Sequence, residues 1–452
     1  MKIIVVGCGK IGVTVIQSLI AEGHDLVAID ENAETLNQLT NIYDLMSLCG
    51  NGADSDILEE AGIRKADLFI AATGSDNTNM LSCFLAKRLG AAHTIARIRN
   101  PEYNDNSLNF LKQELGLSMS INPELLAAQE MYKILKLPSA VKVESFSRRR
   151  FEMIELHLKE GSPLHGVRLC ELREKYKAKF LVCVVQRGED VYIPDGNFML
   201  QAGDKIGLTA QLTEIHKLLR EMGLLQKQAR NVMILGGGRM SYYLSKLLIA
   251  GGSSVTVIER DLALCQELCA ALPKATIVHG DGAQQETLLE EDLRSKDAFV
   301  ALTGMDEENI LISIFAASQN VPKVIAKVNR DELSALAEKI GMDCIVSPQK
   351  VISDVVVRYA RALQNSMGSK VETLYQLMDG NAEALEFLVS SEFPKLGVPL
   401  REMKLKPHTL VAGILRDRTS IIPDGNDVIM AGDRVVVVAA ERRLQDLADI
   451  LK

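Results

Sequence analysis

Ile3-Ile4-Val5-Val6-Gly7-Cys8-Gly9-Lys10-Ile11-Gly12 opens the chain, and Asp30 closes the next apolar run, 18 residues after Gly12. An apolar strand, a Gly-x-Gly-x-x-Gly loop, a helix and a second strand ending in an acid make the βαβ dinucleotide-binding pattern. Gly7 permits the tight turn, Gly9 lets the backbone approach a pyrophosphate, and Gly12 lets helix and strand pack closely. Cys8, Lys10 and Ile11 complete the loop, whose free amides and helix dipole favour phosphate. Asp30 accepts hydrogen bonds from ribose hydroxyls. That favours NAD(H), or an adenine nucleotide such as ATP or ADP, over a 2′-phosphorylated one.

The stretch returns. Val232-Met233-Ile234-Leu235-Gly236-Gly237-Gly238-Arg239-Met240-Ser241 lies 229 residues further on, with Glu259 in the place of Asp30. Gly236, Gly238 and Glu259 keep the roles of their counterparts, with Arg239 and Met240 in the loop. Ser241 replaces the third glycine and adds a small side chain at the packing point, so the second copy is the looser of the two. Arg260, next to Glu259, stacks on adenine or contacts phosphate on one reading and is simply exposed on the other.

More than the opening is repeated. Cys49-Gly50-Asn51-Gly52-Ala53 recurs as His279-Gly280-Asp281-Gly282-Ala283, and Ala72-Thr73-Gly74-Ser75-Asp76 as Leu302-Thr303-Gly304-Met305-Asp306. Ala96-Arg97-Ile98-Arg99 recurs as Ala326-Lys327-Val328-Asn329. Ligands of such sheets sit at the carboxyl ends of the strands. Asn51, Gly52, Thr73 and Gly74 are therefore expected near an adenosine, and Arg97 or Arg99 near phosphate, in this chain or reaching over from an adjoining subunit. Asp281, Gly282, Thr303 and Lys327 are the equivalents, Lys327 facing either phosphate or solvent.

In the first 125 residues, strands at Lys2–Val6, Asp25–Asp30, Asp44–Cys49, Leu68–Ala72 and Thr94–Arg97 alternate with helices such as Gly12–Glu22 and Asn77–Leu89. Continuous apolar strands separated by helices predict a parallel sheet covered on both faces, wound by right-handed crossovers. Each such unit is followed by a second repeat: Ile193-Pro194-Asp195-Gly196 with Ala202-Gly203-Asp204, then Ile422-Pro423-Asp424-Gly425 with Ala431-Gly432-Asp433. Pro-Asp-Gly is turn chemistry. Turn geometry accounts for the repeated acids without a metal. Strands at Phe180–Val185 and Val411–Leu415, with closing helices at Leu212–Arg220 and Arg442–Leu451, predict small α+β domains. The fold class is α/β: two doubly wound Rossmann-like domains at 1–125 and 230–350, each followed by a small α+β domain, at 140–225 and 370–452. Pro138–Arg150, Leu225–Asn231 and Gln364–Glu372 read as linkers.

Composition sets bounds. The chain is 47% hydrophobic and 24% charged, with a net charge of −8, which argues against a nucleic-acid partner. Ser147-Arg148-Arg149-Arg150 is the one obvious basic patch and reads as a solvated turn. No signal-peptide pattern or membrane-spanning run is present. Eight scattered cysteines fit a reduced, cytoplasmic protein. Cys265 and Cys269 read as helix-packing residues, not metal ligands.

No catalytic set accompanies the glycine loops. A dehydrogenase needs a proton donor or acceptor beside the nicotinamide, and the seven histidines form no such group. Tyr242-Tyr243-Leu244-Ser245-Lys246 has the Tyr-x-x-x-Lys spacing of short-chain dehydrogenases, but it falls in the first turns after the second loop. Gly7 to Ile11 is not a Walker A loop. A nucleotide held without catalysis reads as a signal. The alternative is an NAD-dependent oxidoreductase with an unrecognised catalytic group, and a purely structural adaptor is a third class.

On these residues the chain resembles, over its whole length, the RCK/KTN family, the cytosolic subunits and domains that regulate potassium channels and transporters. The resemblance implies a peripheral, cytoplasmic-face assembly on an integral potassium-transport subunit of the TrkH or TrkG type. It also implies a ring, to which a tandem chain contributes two units, as a tetramer or dimer of dimers.

Overall fold

The computed structural model describes residues 1–103, 105–146, 151–342, 344–366, 371–417, 419–440, 444 and 446–452. The basic run 147–150 lies outside them. In the first unit, β1 (Lys2–Val6), α1 (Lys10–Ala21), β2 (Asp25–Asp30), α2 (Ala33–Ile42), β3 (Met46–Cys49), α3 (Ser55–Glu60), β4 (Leu68–Ala71), α4 (Asp76–Leu89), β5 (His93–Arg97), α5 (Asp105–Leu115), β6 (Met119–Ile121) and α6 (Pro123–Lys136) follow in turn. The strands form one parallel sheet, ordered β3-β2-β1-β4-β5-β6, the dinucleotide-fold order with its switch point between β1 and β4. Ile3, Ile4 and Val5 are wholly buried, as a strand covered on both faces requires.

The first small domain contains β7 (Lys142–Phe146), β8 (Phe151–His157), α7 (Leu169–Lys175), β9 (Phe180–Arg187), β10 (Asp190–Tyr192), β11 (Lys205–Ala210) and α8 (Leu212–Glu221). Its sheet is antiparallel, ordered β10-β9-β11-β8-β7. The stretch 138–150 is thus not a plain linker, because Val143 and Phe146 bury themselves as part of β7.

The second half repeats the scheme with β12 (Asn231–Leu235), α9 (Arg239–Ala250), β13 (Ser254–Glu259), α10 (Leu262–Ala271), β14 (Thr276–His279), α11 (Gln285–Glu290), β15 (Ala298–Ala301), α12 (Asp306–Ser318), β16 (Lys323–Lys327), α13 (Asp331–Lys339), β17 (Ile345–Val346) and α14 (Pro348–Ser366). The sheet order is again β14-β13-β12-β15-β16-β17. The last sheet, β18 (Val371–Leu377), β19 (Ala382–Leu388), β20 (Thr409–Arg416), β21 (Thr419–Ile421) and β22 (Arg434–Ala440), is antiparallel and ordered β18-β19-β22-β20-β21. In place of a linker over Gln364–Glu372, α14 runs on to Ser366 and β18 begins at Val371.

The closing helix expected over Arg442–Leu451 does not form in its described part. Leu447–Ile450 is a single 3₁₀ turn. Asp446 and Asp449 cap each other's backbone at its start, and Leu451 at its end is already extended and bridges to Leu405.

The two halves exchange helices. Asn122 caps α6 by accepting from Leu125 N–H, with Pro123 at the first helical position, a strong start signal. Yet α6 packs on α9 of the other half: Ala127, Ala128, Met131 and Ile134 join Ile234, Leu244 and Leu248 in one core. Reciprocally, α14 lies on α1, with Ile352, Val356 and Ala360 against Val15, Ile16 and Leu19. The small sheets also share a core, through Phe146, Phe151 and Val184 with Leu377, Ala412, Val436 and Val438. The halves meet as a pseudo-twofold pair within one polypeptide. Among the described residues no helix is long and apolar enough to cross a membrane.

Candidate nucleotide-binding cleft

The first glycine loop is held from below. Gly7 has φ +89 and donates its N–H to Ile29 O at 2.8 Å; a Cβ there would lie 2.7 Å from Thr73 N. A Cβ on Gly12 would lie 1.9 Å from Gly7 O. Gly9 is the N-cap of α1 and provides no side-chain cap, and the space where its Cβ would stand is open. The first-turn amides of α1 therefore face a space a phosphate could fill.

Asp30 fastens this loop. One carboxylate oxygen accepts from Cys8 N–H at 2.6 Å and the other from Asn32 N–H at 2.8 Å. Each oxygen keeps a second lone pair for a ribose hydroxyl. Cys8 itself is buried beneath the loop, and burial, then the charge of Asp30, pushes its thiol up to about 12. Its side chain is packing, and its amide is what the loop uses.

A cleft of 980 Å³ opens above the loop. Its walls include Gly7, Gly9, Lys10, Ile11, Asp30, Asn51, Gly52, Thr73, Gly74 and Arg97 from the first half. Gly238, Arg239, Met240, Lys327 and Asn329 come from the second half, with Glu124 at the start of α6 and Gln349 at the start of α14. Gly12 is not in the wall but behind it. Asn51 accepts from Ala53 N–H at 2.8 Å, shaping its own turn.

The two candidate arginines part company. Arg97 faces the cleft, with one terminal N–H on Thr73 O at 3.3 Å and its Nε buried and without a hydrogen-bond partner among the described residues. Burial, then the charge of Arg99, lowers its affinity for a proton; Glu124 and Asp76 oppose this and Arg239 adds to it. Arg99 does not line the cleft. Asp76 takes its Nε at 3.3 Å and its backbone N–H at 2.8 Å, and Gly74 O takes a further N–H. Of the two arginines expected near phosphate, Arg97 is the one that lines the cleft, while Asp76, a carboxylate 23 residues earlier, holds Arg99.

A second cavity, of 360 Å³, lies at the other loop, lined by Gly236, Gly237, Gly238, Glu259, Arg260, Asp281, Thr303 and Lys327. Glu259 copies Asp30, accepting from Gly237 N–H at 2.6 Å and Asp261 N–H at 2.8 Å. Ser241 is wholly buried, its hydroxyl without a partner among the described residues. Arg239 and Met240, expected at this second loop's own ligand, line the first cleft instead. The start of α9 points across the pseudo-twofold towards the other half.

Sequence reasoning missed two residues. Asn79 accepts from both the N–H and the hydroxyl of Thr73, at 2.8 and 2.7 Å, and donates to Arg97 O at 2.9 Å. Asn309 does the same for Thr303 and Lys327. Each asparagine ties two strand ends together beneath the cleft. The signal was available, because Asn follows the Thr-Gly pair at the same distance in both repeats. The Tyr-x-x-x-Lys residues, by contrast, are not brought to either cavity: Lys246 lies over the Tyr242 ring and Tyr243 bonds Arg99 O and Asn122.

Two known domain families match the chain. A TrkA-N domain matches residues 3–123 and 232–348, and a TrkA-C domain matches residues 153–223 and 385–452. A Trk system potassium uptake protein TrkA homolog of Archaeoglobus fulgidus is 31% identical, over 100% of each chain. Among solved structures, the GsuK RCK domain superposes with a TM-score of 0.64 at 17% identity, covering 97% of this chain and 92% of that one. The GsuK channel bound to NAD does so with a TM-score of 0.61 at 16% identity, covering 97% and 77%; these two likenesses concern the fold. With the two domains in tandem, twice, along its full length, the chain belongs to the TrkA family of Trk-type potassium uptake regulators.

Proposed function

We propose that the chain is a nucleotide-sensing cytosolic regulatory subunit. It binds NAD(H), with ATP or ADP as competitors, and gates an integral potassium-transport subunit of the TrkH or TrkG type on the cytoplasmic face of the inner membrane. One observation carries the reading: the cleft above the first glycine loop is walled by both halves. A ligand long enough to span the cleft touches Asp30 and Gly9 on one side and Arg239 and Lys327 on the other. Lys10, Arg97, Arg239 and Lys327 converge on this cleft, and burial, with repulsion from neighbouring cations adding to it and Asp306 opposing it at Lys327, lowers the proton affinity of Arg97 and Lys327. An anion relieves that repulsion. Ligands of different length and charge meet these groups differently, and only such differential affinity shifts a conformational equilibrium.

Self-association into a ring, as a tetramer or dimer of dimers, belongs to the same reading. Exposed Leu81 and Phe110 on α4 and α5, and Leu311 and Leu336 on α12 and α13, give both halves matching apolar faces for second copies of the chain.

Saturable binding of NADH and of ATP to the purified chain tests the proposal, with Gly9→Ala as the informative variant. Its Cβ meets open space in the fold but intrudes where pyrophosphate would lie. The expected result is a folded variant with weakened binding and potassium uptake that no longer responds to nucleotide. Absence of saturable binding by the wild type, or unaltered regulation with the variant, sinks the reading. Multiple-turnover oxidation of NADH with a small substrate would favour the dehydrogenase class instead.

A further inference from the structure

The two cavities are not separate. Gly238, Leu302 and Lys327 line both. Gly238 is the N-cap of α9, the place where phosphates of a ligand at the second loop must sit, and the space above it is open. Lys327 is the strand-end cation of the second half, its Nζ already donating to Thr303 O. It is also a wall of the first cleft, close enough to Lys10 to feel its charge.

The cavities differ in extent as well. At 360 Å³ the second is at the small end of the range for ligand sites, and at 980 Å³ the first is at the large end. The second holds what an adenosine and its phosphates need: Glu259, the Gly280–Gly282 turn, Thr303 and the loop amides. The first holds the same set around Asp30, and then continues past Arg97 to Gly238, Arg239 and Met240. That continuation has room for a second nucleoside half. It ends on the surface that a phosphate at the second loop would occupy.

From this shared wall, and resting on the nucleotide reading above, we propose that each chain is a composite receptor. It takes either one dinucleotide, anchored at the first loop, or two adenine mononucleotides, one at each loop. The far half of the dinucleotide covers Gly238 and Lys327 and so denies the second loop its phosphate. The coupling is reciprocal: a mononucleotide at the second loop weakens dinucleotide binding by the same factor by which the dinucleotide weakens it. Adenine mononucleotide at the first loop is not penalised, because it stops short of the shared wall.

Calorimetric titration of the full-length chain tests this with NADH and ADP as probes. The expected stoichiometry is one NADH per chain and two ADP per chain, and saturating NADH abolishes both ADP sites. Gly238→Leu adds a second arm. Its backbone is extended, which any residue adopts, and its side chain enters the shared space. It should remove one ADP, keep the other, and weaken NADH by about tenfold or more. The retained ADP site shows that the variant is folded. Two NADH per chain, one ADP per chain, ADP still binding at the second loop under saturating NADH, or undiminished NADH affinity in Gly238→Leu each overturns the proposal while the nucleotide reading stands. Absence of binding by either probe overturns both.

Discussion

At the residue scale, the third position of the two fingerprints is where the repeats part. In the first half, Gly12 leaves no room for a methyl group against Gly7 O, whereas in the second Ser241 occupies that position with its hydroxyl buried and unpartnered. Gly12→Ala must push the start of α1 away from the loop. The expected cost is about 1–3 kcal/mol of stability, as for overpacked cores, together with weakened nucleotide binding. Ser241→Gly removes a buried unsatisfied hydroxyl but places glycine in a helix, two effects of about 1 kcal/mol that oppose each other. Thermal denaturation of the two variants should show a clear loss for the first and little change for the second; equal losses would refute the packing account. The sequence made Gly7, Gly9, Gly12 and Asp30 readable because strand, turn and helix constrain them locally. Arg97 and Arg99 were not separable by that route, since Asp76, which captures Arg99, is distant in the chain and adjacent only in the fold.

At the scale of elements, α14 is bound by charge as well as by apolar contact. Arg361 forms paired hydrogen bonds with Glu22, at the end of α1, and with Glu383 on β19, at 2.6–3.0 Å. Burial opposes its charge, but the bonds to the two glutamates win and raise its proton affinity. Arg361→Met strands two mostly buried carboxylates facing each other. A loss of about 3–5 kcal/mol in denaturant unfolding is expected, as for a buried pair stripped of one partner, and a loss below 1 kcal/mol would mean solvent screens the group.

Glu144 on β7 lies in a second charged cluster between the halves, facing Glu130 and Lys133 on α6, Lys142 on β7, and Asp354 and Arg358 on α14 with Tyr375 on β18. Burial, then the charge of Glu130, pushes its carboxyl up to about 7, despite Lys142, Lys133 and Arg358. A folded-state value raised above the unfolded one contributes stability that is full below the unfolded value and lost as pH rises through about 7. Glu144→Gln should abolish that decline, so the gap between variant and wild-type melting temperatures widens in the variant's favour from pH 5 to pH 8. A pH-independent gap would contradict it. Helix exchange itself was not legible: periodicity marks α6 and α14 as having apolar faces, but nothing local says which sheet those faces meet.

For the whole molecule, the pseudo-twofold makes each half complete the other's surroundings. The order of domain types could be read from the duplicated Pro-Asp-Gly and Ala-Gly-Asp turns, since turn chemistry is local. The shared core of the small sheets could not, because its residues are hundreds of positions apart. Ring assembly through the outer apolar faces predicts that Leu81→Glu combined with Leu311→Glu lowers the solution mass towards that of a single chain. Light scattering after size-exclusion chromatography reads this directly, and an unchanged mass would locate assembly elsewhere. Both positions are exposed, so the monomer should stay folded.

Among the described residues, no ion pair between α6 and the other half matches the Arg361 clasp, so the two joints differ. Lys136 stands at the matching position of α6, its ammonium over the Tyr132 ring, and Gly251 stands where the first half has Glu22. A true homodimer inherits every substitution on both sides of its axis. This chain, whose two halves are separate stretches of one gene, is free to stiffen one hip and leave the other supple. On the regulatory reading proposed above, any tilt between the halves should spare the joint at α14 and open the joint at α6, a lopsidedness written into the covalent order of the repeats.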